Sequence, residues 1–201
     1  MLAWSREELE LIPEKGFSEL DISISKSLVE KLAEESIASP QLMQLICLNI
    51  CILAESKGVK TIDEELIRRA FRFSTLNLDY DKVVAVIQKG KSSRGQKRAV
   101  YKTEGFGELD LYGLILEALA LDPPFASITT GELYERLLRL ISDTSKPTLN
   151  ALRSYLKNLQ DIINSNDRSF EVLEWKDNNV YILESLFMFY LRWGRGANNA
   201  A

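Results

Sequence analysis

The chain has 201 residues, of which 46% are hydrophobic and 27% are charged, with 10 glycines and 5 prolines. This composition is typical of one or two globular domains and excludes collagen-like, fibrous and disordered chains. It contains no histidine, the commonest general base and metal ligand, and its 2 cysteines cannot complete a four-ligand zinc site. We therefore predict that the chain holds no metal ion and is not itself an enzyme.

The sequence also lacks recognisable targeting features. No apolar run approaches the ~18 residues that a membrane-spanning helix needs. The acidic residues Glu7, Glu8 and Glu10 are unlike the basic start of a secretory or transit signal. We expect a cytoplasmic protein that has no membrane partner.

Charge is distributed unevenly along the chain. Residues 1–80 carry a net charge of −5, residues 81–104 of +5 and residues 105–201 of −4. Because the basic stretch is also poor in hydrophobic residues, we predict a flexible basic linker over residues 80–108. It is either a solvated tether or an arm that contacts phosphates or an acidic partner. The candidate contact residues of the linker are Lys89, Lys91, Arg94, Lys97 and Arg98.

Residues 1–79 show only helical patterns, which predict a helical bundle. In the S/T-x-x-E capping box, a hydroxyl and a carboxylate satisfy free amides of a first helical turn. The box occurs at Ser5/Glu8, Ser27/Glu30, Thr61/Glu64 and, in the second half, Thr129/Glu132. The segment 40–56 is apolar on most sides and ends at Lys57 and Gly58, so we expect it to be the most buried helix.

Two pairs of side chains within this bundle are interpreted as structural. Cys47 and Cys51 are four residues apart on the apolar helix, where core packing is favoured over a disulfide or a zinc site. Adjacent carboxylates such as Glu34 and Glu35 diverge on a helix and cannot share a substrate. We expect this carboxylate pair to lie on a solvated surface.

Residues 109–193 have the order of elements of a winged helix-turn-helix domain. Three amphipathic helices are followed by two segments rich in β-branched and aromatic residues, which flank a turn. The helices begin near Asp110, Thr129 and Ser145–Pro147, the strands are 170–175 and 180–183, and a closing helix is 185–193. We expect the tail 194–201 to be disordered. The predicted fold class is mainly α: a helical bundle followed by a winged-helix domain with a small β-hairpin.

The third helix of a DNA-binding winged helix enters the major groove, and its hairpin touches the backbone or the minor groove. Asn, Arg and Lys side chains there pair with base edges or phosphates. The candidate contacts to nucleic acid or to a protein partner are Lys146, Thr148, Asn150, Arg153, Lys157, Lys176 and Asn178. On and near the third helix only three of them, Lys146, Arg153 and Lys157, are cations, and Asp161 opposes them, so a protein-binding face stays open as the alternative.

Three stretches carry a resemblance to a known family. They are WSREELELIPEKGFSEL at the start, SPQLMQLICLNIC with KTIDEELIRRAF after it, and GELDLYGLILEAL to LESLFMFYLRWG. In this order they resemble the exit from the catalytic core, the helical lid and the winged helix of AAA+ ATPases of the origin-recognition, replication-initiator type. The resemblance covers nearly the whole chain and lies in the order and spacing of these stretches.

The resemblance implies a lid that closes over ATP and offers a sensor-2 arginine at the start of the helix that Pro40 opens. Pro40 and Gln41 occupy that position, where no arginine stands, and Gln41 or Gln44 would be a weak substitute. The Walker A and B elements that hold Mg-ATP are absent from the sequence. The resemblance therefore implies no cofactor in this chain, with ATP and magnesium bound by the parent ATPase.

The leading hypothesis is a C-terminal lid and winged-helix module of an AAA+ ATPase, which couples the nucleotide state of an absent P-loop core to DNA binding. Its implied partners are the ATPase core, duplex DNA and other protein subunits. The alternative is a protein-interaction or oligomerisation module that binds no nucleic acid, which the net charge of −4 slightly favours.

Overall fold

A computed structural model describes residues 4–91 and 97–195 of the chain. The chain divides into two compact units: the first comprises Met1–Leu78 together with Arg192–Ala201, and the second comprises Asp79–Leu191. The predicted fold class is confirmed, because the chain is mainly helical, with a helical bundle followed by a winged-helix-like domain that contains a small sheet. Among the described residues, no helix is both long and apolar enough to cross a bilayer.

The first unit is a bundle organised around its third helix. Its helices are α1 (Arg6–Glu19), α2 (Lys26–Glu35), α3 (Pro40–Lys57) and α4 (Glu64–Thr75). The other three helices all pack on α3, and Met43, Ile46 and Ile50 of α3 are fully buried. The expectation of a helix buried on most sides is only partly right, since Leu48 and Ile52 are exposed.

The helix starts follow local capping chemistry. The capping boxes at Ser5/Glu8 and Thr129/Glu132 are confirmed. The predicted boxes at Ser27 and Thr61 are wrong: Ser25 caps α2, and Asp63 caps α4 by accepting from the Leu66 amide at 2.8 Å. Asp63 directly precedes the first turn of α4, so its carboxylate reaches the free amides that a hydroxyl at position 61 cannot reach.

The C-terminal end of the chain completes the first unit. The guanidinium of Arg192 donates to both oxygens of Glu35, at 3.0 and 2.6 Å, and the indole N–H of Trp193 donates to Glu35 Oε2 at 2.8 Å. The ring of Trp193 also packs on Phe71, with centroids 4.7 Å apart. The expectation that Glu35 is solvated is therefore wrong, because a partner far away in sequence buries it.

The second unit contains five helices and five strands among its described residues. They are α5 (Asp81–Lys89), β1 (Val100–Thr103), β2 (Gly107–Asp110), α6 (Leu111–Ala120), β3 (Ser127–Thr129), α7 (Thr130–Leu140), α8 (Leu149–Asn164), β4 (Leu173–Lys176), β5 (Asn179–Ile182) and α9 (Ser185–Trp193). The last two residues of α9 belong to the first unit. From α6 onward, the order helix, strand, helix, helix, strand, strand is that of a winged helix.

The predicted flexible linker over residues 80–108 is wrong, because the structure places α5 and the hairpin β1–β2 there. Val83, Val84 and Ile87 form a buried face of α5. Packing of this face stabilises the helix. The average composition of residues 80–108 does not reveal it. The turn of the hairpin uses Gly105 and Gly107 at φ of 88° and 70°, a conformation that glycine adopts without strain.

The winged-helix sheet has the strand order β3-β5-β4, all antiparallel. The predicted hairpin turn after Lys176 is confirmed, with Asp177 and Asn178 at positive φ, as a two-residue turn of this kind requires. Strand β3 was not predicted, because its three residues are too few to show alternation. The disordered tail was expected over residues 194–201. Of these, residues 196–201 lie outside the described residues.

The ion pair of Glu35 gives the first prediction. Glu35→Gln removes the carboxylate charge that pairs with Arg192 at a place where the two side chains are only 6% and 5% exposed. The free energy of unfolding should fall by about 3–5 kcal/mol, measured by urea unfolding followed through circular dichroism. Glu34→Gln, on the adjacent exposed residue, is the matched control. Equal stability of the two variants would contradict a structural role for the pair.

Candidate nucleic-acid interface

Helix α8 begins in a turn that several contacts hold in place. Thr148 caps the helix by accepting from the Ala151 amide at 3.1 Å, and the hydroxyl of Tyr134 on α7 donates to the carbonyl of Pro147 at 2.9 Å. The inner face of α8 is anchored by buried Leu152, Leu156, Leu159 and Ile163. Its opposite face is therefore presented outward, with the Thr148 hydroxyl oxygen engaged in the cap.

The first half of this outward face is open and positively charged. Asn150, Arg153 and Lys157 are exposed and lie along one side of the helix at a spacing of three and four residues. Arg153 donates to the side-chain oxygen of Asn150 at 3.3 Å, and Lys146 is exposed just before the helix. Within residues 4–91 and 97–195, no acid forms an ion pair with any of these three cations.

Two other sites on α8, Tyr155 and the pair Asn158 and Asp161, contact other parts of the unit. Lys91 places its ammonium 3.3 Å from Asp161 Oδ2 and 3.5 Å from Asn158 Oδ1. The rings of Tyr155 and Tyr112 are 4.7 Å apart, and burial, followed by the charge of Asp110, raises the pKa of Tyr155. Asp161, which opposes the cations in the sequence, is thus partly neutralised by Lys91.

Arg98, one of the predicted basic-patch residues, is engaged inside the unit. Its guanidinium pairs with Asp110 at 2.7 Å, donates to the carbonyls of Lys89 and Lys91, and lies 5.0 Å from the ring centre of Tyr112. These carbonyls are at and just beyond the end of α5, so Arg98 closes that helix. Its guanidinium is therefore not available as a phosphate contact.

The remaining members of that patch are dispersed. Lys89 and Lys97 are exposed, Lys91 contacts α8, and Arg94 lies outside the described residues. The described residues of the patch therefore do not form a single basic arm. Only Lys91 and Arg98 of the patch make the side-chain contacts described above, and both contacts fix the surroundings of α8.

The wing is short and folds back on the start of α7. The carbonyl of Asn178 accepts from both the amide and the hydroxyl of Thr130 at 2.9 Å, and the indole of Trp175 donates to the same hydroxyl at 3.1 Å. The side chains of Lys176 and Asn178 are exposed at the turn, next to Asp177. The wing therefore presents one exposed cation, Lys176, at its turn.

The predicted nucleotide-sensing position lies in the first turn of α3. Pro40 is the first residue of α3, Ser39 caps that helix by accepting from the Leu42 amide at 3.2 Å, and Gln41 is exposed.

Burial raises the pKa of the Cys47 thiol to about 12 and also raises that of Cys51. Burial thus disfavours the thiolate form of both side chains.

Comparisons with known proteins give one distant similarity. No family model matches the chain, and no curated protein matches it. A solved chain of a point variant of RuvB, an AAA+ ATPase from Thermotoga maritima, is similar with 12% identity and a TM-score of 0.39, covering 96% of this chain and 50% of that chain. The present chain spans about half the length of that protein. At this TM-score the two backbones agree only coarsely.

Several contacts of the second unit were not predicted from the sequence, although Asp110 was expected at a helix start. Thr130 and Tyr134 hold the wing and the α8 turn, and Asp110 both caps α6 and pairs with Arg98. The hairpin signal at Gly105 and Gly107 was present and would have brought Arg98 near Asp110. The contacts of Thr130 and Tyr134 depend on the tertiary packing and leave no local pattern.

The hydroxyl of Thr130 gives the second prediction. Thr130→Val removes the donor to Asn178 and the acceptor for Trp175 while keeping the side-chain shape, so the β4–β5 turn should loosen. Amide hydrogen exchange in β4 and β5 should accelerate by about tenfold or more, since two hydrogen bonds of about 0.5–1.5 kcal/mol each are lost. Thr144→Val, at an exposed residue before α8, is the control. Unchanged exchange in both variants would contradict the anchoring role.

Proposed function

We propose that the chain is a lid and winged-helix module that works with a P-loop ATPase core, and that its second unit binds duplex DNA through α8. The observation that carries the DNA-binding part is the open first half of α8. There Lys146, Arg153 and Lys157 face solvent beside Asn150 and form no ion pair with a described residue.

The chemistry of this face suits a duplex. Arg153 and Lys157 can neutralise phosphates, and the amide of Asn150 matches the donor and acceptor of an adenine edge in the major groove. Because few cations take part and the chain is acidic overall, the electrostatic contribution is modest. Binding should therefore be weak and should fall steeply as salt rises.

Coupling to a motor is supported by the path of the chain. The chain passes from the first unit to the second at Leu78–Asp79 and returns at Leu191–Arg192. A movement of the lid would thus reach the winged helix through two covalent connections. The single flexible tether expected from the composition would transmit such a movement less directly.

The motor chemistry belongs to the parent ATPase in this proposal. The sequence carries no Walker A or Walker B element, so ATP and magnesium would be bound by the core rather than by this chain. The third prediction is that purified chain shows no ATP turnover above the uncatalysed rate in a phosphate-release assay. Measurable turnover that survives repurification would contradict the proposal.

The fourth prediction concerns the DNA contacts. Arg153→Ala combined with Lys157→Ala should weaken duplex binding at low salt and reduce the slope of log K against log salt by about two. Fluorescence anisotropy across a salt series measures both quantities. Arg168→Ala, which removes an exposed arginine of the same unit away from α8, should leave the slope unchanged. An equal slope in the double variant would contradict α8 as the interface.

A protein-interaction module is the second candidate function. It is favoured by Leu48 and Ile52, two large apolar side chains that α3 exposes to solvent in the first unit. Exposed apolar groups of this kind commonly mark protein interfaces. The same anisotropy experiment separates the two functions, because absent or salt-independent duplex binding would leave protein interaction as the better account.

A further inference from the structure

The backbone of Lys91 is held in place beside α8, although its side chain is exposed. Its amide donates to the hydroxyl of the buried Tyr112 at 3.3 Å, and its carbonyl accepts from the guanidinium of Arg98 at 3.0 Å. Arg98 is fixed in turn by its ion pair with Asp110 at 2.7 Å. The ammonium of Lys91 therefore extends from a backbone that is fixed on both sides.

Gly90 allows the chain to come this close to Tyr112. It follows the last residue of α5 at a φ of 59°, a conformation that glycine adopts without strain. A Cβ at this position would lie 2.1 Å from Cε2 of the Tyr112 ring, so a side chain would have to displace either the ring or the backbone. A glycine at position 90 is thus part of what positions Lys91.

Asp161 lies within reach of two cations. Lys157 precedes it by four residues on α8, which is the spacing at which opposite charges on one helix interact. The cation that contacts Asp161 is instead Lys91, whose Nζ is 3.3 Å from Oδ2. No ion pair joins Lys157 to Asp161 or to another acid within residues 4–91 and 97–195.

We propose that Lys91 is a positioning residue for the DNA-binding face of α8, because its pairing with Asp161 keeps Lys157 available for a phosphate. The inference rests on the proposed binding of duplex DNA. Without the Lys91 charge, Asp161 pairs with Lys157 and the positive charge that the face offers to a duplex falls. Exposed ion pairs are weak, so the loss of one charge is enough to exchange the partner of Asp161.

Duplex titration by fluorescence anisotropy across a salt series tests the proposal. Lys91→Gln should raise the dissociation constant at low salt by about fivefold and lower the slope of log K against log salt by about one, since Lys157 no longer neutralises a phosphate. Lys91→Arg keeps a cation at this place and should bind like the unaltered chain. Lys89→Gln removes an equal charge from an exposed side chain two residues earlier and should leave the slope unchanged.

A double-mutant cycle with Asp161→Asn separates positioning from direct contact. Once the carboxylate is gone, Lys157 is available with or without Lys91, so adding Lys91→Gln to Asp161→Asn should change neither the affinity nor the slope. A further loss of affinity in that double variant shows that Lys91 itself contacts the duplex, and it overturns the proposal. Equal binding by Lys91→Gln and the unaltered chain overturns it as well.

A measurement without DNA distinguishes this inference from the proposed function. The side-chain ¹⁵N resonance of Lys157 should shift when Lys91→Gln is introduced into the unaltered chain, and should not shift when it is introduced into Asp161→Asn. Failure of the unaltered chain to bind a duplex contradicts the proposed function. An unshifted Lys157 resonance in a chain that does bind a duplex overturns only the exchange of partners.

Discussion

The buried ion pair between Glu35 and Arg192 is the constraint on which the organisation of this chain depends. It joins residues separated by almost the whole sequence, and it makes the last described turn of the chain a part of the helical bundle. Burial of two charges is unfavourable unless their hydrogen bonds are well satisfied, and Trp193 supplies a further donor to Glu35. The second unit is consequently inserted between two segments of the first rather than appended to it.

Within the second unit, internal contacts decide which part of α8 stays available. Lys91 contacts Asp161 in the later half of α8, Tyr112 packs on Tyr155, and Thr130 holds the wing on α7. The exposed side of Asn150, Arg153 and Lys157 stays open. That surface keeps Arg153 and Lys157 without ion-pair partners among the described residues. A small cationic face on a rigid helix suits weak, salt-sensitive contact with a phosphate backbone, which a partner protein or a motor can reinforce.

Much of the fold could be predicted from the sequence where local chemistry dominates. The winged-helix order could be predicted from the capping box at Thr129 and the apolar spacing of Leu152, Leu156 and Leu159. The hairpin could be predicted from the turn residues after Lys176. The prediction of a linker over residues 80–108 failed because the average composition of this segment hides a short helix and a hairpin. Prediction failed at Glu35 as well, because its partner is remote in sequence. The exposed positions of the α8 face were predictable from helical periodicity. The contacts that engage the Arg98 guanidinium inside the second unit were not.

The most direct test of the central claim is a residue-resolved map of duplex binding. Backbone amide chemical shifts of the full chain, followed while a duplex is added at low salt, should change in residues 146–157 and return as salt is raised. Absence of change in that segment, or changes confined to the first unit, would contradict α8 as the DNA-binding element.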